Sequence, residues 1–168
     1  MKALYYLSVW LHLLAATVWI GSILFFGAVI IPVLRSEEFA SARGRLLTAL
    51  GSRFRWAGWA AIVVLLVTGL FNVIGRGIAV QELLTGGFWS RPWGVVLAVK
   101  LVLIALATGI SFYHDAVLGP LIAQRLDQNQ STPDLERLRR AASYMGRATL
   151  ALALVILALA AHLARSTP

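Results

Sequence analysis

The chain has 168 residues, of which 60% are hydrophobic and 13% charged, and it contains no cysteine. A soluble domain carries about a quarter of its residues as charges, so this composition excludes an ordinary water-soluble globular protein. The missing thiols exclude disulfides, thiolate metal sites, iron–sulfur clusters and cysteine nucleophiles. A net charge of +8 would point a soluble chain toward nucleic acid, but the placement of the charges here gives them another role.

The charges are kept out of long blocks. Between Lys2 and Arg35 lie 32 uncharged residues, between Arg55 and Arg76 lie 20, and between Arg147 and Arg165 lie 17. A fourth block, Pro92 to His114, is interrupted by Lys100 alone. A hydrocarbon core about 30 Å thick needs roughly 20 apolar residues in helical form, and in lipid the backbone must bond within its own segment, which favours helices. The sequence therefore predicts an all-α, polytopic membrane protein: a single membrane domain over 1–168 whose four transmembrane helices, spanning about 5–32, 55–75, 92–116 and 145–165, form a bundle. The first block is too long, and followed by too many spans, to read as a cleaved signal peptide.

Taken in chain order, Pro32 falls where the first span should leave the core. The stretch 76–91 reads as a short interfacial segment, with Gly75-Arg76-Gly77 a turn rather than a phosphate loop. Pro92 suits the first turn of the third span and Gly119-Pro120 should close it. Residues 121–141 read as a polar loop. Trp56, Trp59, Trp89 and Trp93 sit at the depth of an aromatic belt. No internal repeat is evident, and no hydrolase, kinase or nucleotide-binding motif occurs.

An even number of spans puts both termini on one side, called side A. Side A carries Lys2, Arg76, Arg91 and Arg165, four basic residues against ten in the side B loops, with Lys100 set aside. The positive-inside rule makes side B cytoplasmic and both termini non-cytoplasmic; in a bacterium, side A of this inner-membrane protein faces the periplasm. The basic charge orients the chain and meets the anionic headgroups of the bilayer, leaving no case for a nucleic-acid partner.

A titratable residue inside a span is costly and is by default a functional candidate. Four stand out: His12, Lys100, His114 and His162. His12, Lys100 and His162 fall in the side A half, as does Asn72, so each helix offers one polar group to the same outer layer; His114, next to Asp115, lies at the opposite end. Lys100, Ala107, Ser111 and His114 share a stripe of the third span, and the 14 residues from Lys100 to His114 cover about 21 Å of helix axis. Ser8, His12 and Trp19 share a face of the first span. In the fourth, Ala151, Val155, Ala158 and His162 make a small-residue stripe expected to face inward. Such residue types have two metal uses. Two imidazoles on different helices flanked by small residues could hold a haem iron, and imidazole equally suits copper. Lys100 could carry a proton, attract an anion or ligate iron if deprotonated. Bland roles compete: His162 at headgroup depth, Lys100 snorkelling to the surface, His114–Asp115 as a helix-end pair, Trp19 as packing, Asn72 as a helix–helix hydrogen bond.

Leu11-His12-Leu13-Leu14-Ala15-Ala16-Thr17-Val18-Trp19-Ile20-Gly21-Ser22, with Phe25-Phe26 and Pro32, resembles the first helix of small copper resistance D-like (CopD family) membrane proteins. Thr68-Gly69-Leu70-Phe71-Asn72 resembles the end of that family's next helix, and Lys100-Leu101, His114-Asp115 and Gly119-Pro120 its third. Ser22 stands where the family often has a second glycine. The resemblance implies a bacterial inner-membrane four-helix protein of copper resistance or uptake, with His12, Lys100, His114 and Asp115 among its working residues. The His and Lys positions are also similar to those of HemJ-type protoporphyrinogen oxidases, which bind haem b, although the arginine-rich end of that motif is missing here.

Three functions follow as expectations. The first is a copper-handling protein in which a copper ion meets the His12/His162 layer and passes toward His114, with Thr108 and Ser111 the polar groups on the way and a periplasmic metal-binding or redox partner supplying it. The second is a b-type haem protein, with His12 and either His162 or Lys100 as axial ligands, acting in electron transfer or on a quinol or porphyrin. The third is a cofactor-free accessory subunit. Self-association into a homo-oligomer is compatible with all three.

Overall fold

A helix that crosses lipid cannot end there, and the four long helices of the computed structural model continue through every signal that would stop one in water. The structure describes residues 2–127 and 133–167. The helices long and apolar enough to cross a membrane are Lys2–Arg35, Arg43–Ile74, Pro92–Leu126 and Pro133–Arg165, here the first to fourth helices. The expected all-α, four-helix membrane architecture is therefore what forms, and no strand occurs among the described residues. Most of the surface of each span points outward, with Leu13, Val63, Leu66, Val102 and Leu154 at least half exposed, as contact with the bilayer requires.

The second and fourth helices begin well before the apolar stretches near 55 and 145. Their early turns carry Arg43, Arg45, Arg53 and Arg55, then Arg137, Arg139, Arg140 and Arg147. Hydropathy marks where a helix is in lipid, whereas the helix itself continues into a basic collar. Of the stretch 121–141, residues 128–132 lie outside the described residues, and the remainder is helical.

The first helix packs chiefly on the second, and the third on the fourth, giving two hairpins laid together. Their shared core is Ala15, Trp19, Ala61, Ile62, Ala107, Ala153 and Ile156. Small residues dominate it, because apolar side chains gain nothing from leaving lipid for one another and close approach supplies the attraction instead. At the side A end, Tyr5 packs against Gly75 and the Arg76 guanidinium donates to the carbonyls of Ala164 (2.8 Å) and Ser166 (3.1 Å). That bond satisfies the open carbonyls at the end of the fourth helix. Arg43 does the same at side B for Leu34, Arg35 and Ser36.

Neither Pro32 nor Gly119-Pro120 ends its span. Each is preceded by one π-helical turn, Phe26–Ile30 and His114–Leu118, and the helix then resumes as Ile31–Arg35 and Gly119–Asp127. Proline lacks an N–H and clashes with the preceding turn; widening that turn lets the helix continue. In the π pattern Pro120 leaves the carbonyl of Asp115 without its donor, and Arg55 of the second helix donates to it at 3.0 Å.

The two π turns lie 88 residues apart, as do Pro32 and Pro120, Gly21 and Gly109, and His12 and Lys100. The same offset relates Gly58 to Gly146 and the buried pairs Ala61/Thr149 and Thr68/Ile156 in the returning helices. The chain is thus built as two similar hairpins, a repeat that residue identity alone did not reveal.

The stretch 76–91 forms a largely exposed cap at the side A end, pinned by two buried side chains. Gly77 turns the chain at φ 87°, a left-handed backbone that glycine adopts without strain. The single-turn helices Val80–Leu83 and Gly86–Trp89 follow. Ile78 and Phe88 bury themselves with Trp93, Leu97 and Leu163. Three of the four tryptophans expected in the belt also make hydrogen bonds within the protein: Trp93 donates to the Leu163 carbonyl, Trp89 to that of Leu83, and Trp59 to the Asp115 carboxylate. Trp56 remains exposed.

Candidate functional site

In the first helix, Ser8, His12, Ala15 and Trp19 fall on one face, and the close packing against the second helix turns that face inward. His12 is half-buried, Ala15 and Trp19 buried. Ser8 donates to the Thr68 carbonyl (3.3 Å), and His12 Nδ1 lies 2.8 Å from Thr68 Oγ1. Thr68 is itself buried, and its hydroxyl donates to the Val64 carbonyl one turn back. A hydroxyl has one proton to give. Having given it to Val64, Thr68 can only accept from His12, so a proton on Nδ1 completes this bond, and the Leu65 carbonyl is a second acceptor beside the ring. Such an outer partner orients a metal-binding histidine. Gly69 makes room beside the ring: a Cβ there would lie 3.4 Å from His12 Cε1.

His12 opens on a cleft of about 90 Å³ in the side A half of the bundle, lined also by Trp19, Lys100, Thr108 and Ala160 and otherwise by apolar side chains. Of the expected layer, the structure thus brings His12 and Lys100 together. It does not bring His162: that side chain is exposed, as are Ala151, Val155 and Ala158 of its stripe. The face of the fourth helix turned inward is Thr149, Ala153, Ile156 and Leu163. Asn72 does not make the hydrogen bond expected of it; its buried Oδ1 has no partner among the described residues.

His114 and Asp115 lie at the other end, in the π turn of the third helix. His114 Nδ1 is 3.1 Å from Asp115 Oδ1, and Asp115 Oδ2 accepts from Trp59 Nε1 at 3.3 Å. Between the two ends the third helix presents half-buried Thr108, wholly buried Ala107 and half-buried Ser111. Thr68, Arg55 and Trp59 are the partners that the sequence did not single out. A lone threonine one position before a span glycine was the available signal for the first; nothing in the sequence couples Arg55 and Trp59 to Asp115.

The cleft's size tests the cofactors. At about 30 Å³ per water, about 90 Å³ admits an ion with one or two small ligands. With His162 outside, the His12/His162 pair of imidazoles for haem b is not formed. A copper ion fits the space and the nitrogen donor. No cluster of three or more His, Asp or Glu side chains suited to a metal gathers among the described residues.

Removing the threonine hydroxyl should release the imidazole from this partner. Thr68→Val, nearly isosteric, is expected to weaken copper binding about 10-fold, the low end for lost outer partners of a metal-binding histidine. Competition against a chromophoric Cu(I) chelator measures it.

Comparison with known proteins agrees with this architecture. Residues 48–163 match the family model for copper resistance protein D. An uncharacterized protein of Aquifex aeolicus (strain VF5) is 32% identical over 114 residues, covering 67% of this chain and 69% of that protein. The inner membrane protein YebZ of Escherichia coli (strain K12) is 29% identical over 128 residues, 73% of this chain and 38% of YebZ. No solved structure matches the chain. The family match takes in the second, third and fourth helices with their connections, and the chain belongs to the copper resistance protein D family.

Proposed function

We propose that this chain is an inner-membrane copper-handling protein that takes a single copper ion, as cargo, into the outer half of its bundle through His12. The observation carrying this reading is the imidazole itself, set in a cleft of mostly apolar side chains with Nδ1 engaged by Thr68. The family supports copper as the metal, and the name of the related YebZ supports the inner membrane. Side B, with its basic collar, is cytoplasmic on the positive-inside rule, and the cleft then lies on the periplasmic side.

One nitrogen from protein, with no thiolate and no thioether nearby, binds copper weakly compared with a soft-ligand cage. That suits an ion that must be passed on. His114 and Asp115 at the cytoplasmic end are the next nitrogen and oxygen donors along the third helix. The 21 Å or so of helix between them and Lys100 makes the ion's transfer a step that needs movement or water rather than a continuous ligand chain.

Titration of the purified protein with Cu(I) tests the reading. One ion per chain, readily removed by a competing chelator, is the expected result. A protein that takes up no copper would overturn it and leave an accessory subunit of the membrane as the better description.

A further inference from the structure

The 88-residue offset places Lys100 where His12 stands in the other hairpin, each 14 residues before its π turn. Both side chains line the same cleft. The site is therefore a paired one in which one half offers an imidazole and the other an amine that no acidic side chain among the described residues faces. None of the seven acidic residues falls in the outer half of any span. The nearest on side A, Glu82, is paired with Arg91 at 3.4 Å.

An ammonium in such a place normally reaches for the surface along its stem. Here that route is covered. Trp93 and Leu97 precede Lys100 on the same helical face, and both are buried under the 76–91 cap with Phe88 and Leu163. A charge half-buried among mostly apolar side chains without a counter-charge is costly, and a copper cation beside it adds repulsion. One small anion removes both penalties.

Resting on the copper reading, we infer that Lys100 forms an anion subsite beside His12, so that the copper ion enters the cleft together with a small monovalent anion such as a halide or a carboxylate. The room of about 90 Å³ accommodates an ion and a small ligand, and it sets the size limit on the anion. In this arrangement His12 would hold the metal and the ammonium of Lys100 would hold the anion beside it.

The test has two arms. In detergent-solubilised, metal-free protein, ³⁵Cl NMR should show a saturable line broadening that is lost in Lys100→Met and kept in His12→Ala; equal broadening in wild type and Lys100→Met, reporting surface arginines only, would overturn the subsite. With Cu(I) bound in bromide buffer, X-ray absorption at the copper edge should show a bromide neighbour in wild type and none in Lys100→Met. Copper with nitrogen and oxygen neighbours alone in wild type overturns the inference, including the case in which neutral Lys100 is itself the second ligand. If no copper binds, the copper reading fails, while the chloride arm still decides the subsite.

Discussion

Gly94→Val is expected to destabilise the protein by about 3 kcal/mol or more, toward the upper end of the usual cost of overpacking a well-packed site. A Cβ at Gly94 would lie 2.1 Å from the Phe88 carbonyl oxygen, 3.0 Å from its carbon and 3.1 Å from Trp89 Cα. These are backbone atoms, which cannot turn aside as a side chain would. Either the cap must lift from the third helix or the helix's first turn must unwind, and the buried cluster of Ile78, Phe88, Trp93, Leu97 and Leu163 opens in both cases. Thermal unfolding in detergent measures the loss. Gly109→Ala is the control, because a Cβ there meets nothing within 4 Å; its melting point should stay the same or rise slightly, since alanine is the better helix former. If Gly94→Val melts with the control, the cap is not the fastening described here.

The second large effect separates two histidines that look alike in sequence. His12→Ala is expected to lower Cu(I) affinity about 100-fold or more, since losing the ligand must exceed the 10–100-fold cost of losing an outer partner. His162→Ala should leave affinity within about 2-fold, because its side chain faces outward and lines no part of the cleft. Loss in both variants would restore a two-imidazole site. Loss in neither would remove His12 from copper handling altogether.

The contrast between these histidines shows how far sequence reasoning reaches in a membrane. The four spans were legible because lipid excludes charge from long blocks, and His12 because an imidazole in such a block needs a reason. The inward face of the fourth helix was not legible. Ala151, Val155 and Ala158 on one side and Ala153, Ile156 and Ala160 on the other are equally apolar, so with lipid as solvent no polarity contrast tells core from surface. Gly119-Pro120, expected to close the third helix, misled for a related reason. Proline marks an end in water, where freed carbonyls are hydrated; in a bilayer the chain widens its turn instead, and for Asp115 it finds Arg55 on a neighbour. The repeat stayed hidden because its two halves share register more than residues: His12 answers to Lys100, Phe26 to His114 and Gly27 to Asp115.

Each π turn also has an effect on everything beyond it. One extra residue in a turn advances the helix by about 100° of rotation relative to an uninterrupted one. The collar segments Ile31–Arg35 and Gly119–Asp127 are therefore one residue out of helical phase, in the same sense in both hairpins, with the stretches that hold His12 and Lys100. Deleting one residue from Phe26–Ile30 or from His114–Leu118 would restore an ordinary α turn and leave the segment beyond it, with buried Leu34 in the first helix, on the faces it now presents. Each π turn thus absorbs one residue of chain length without disturbing either the geometry around His12 or the seating of the collar.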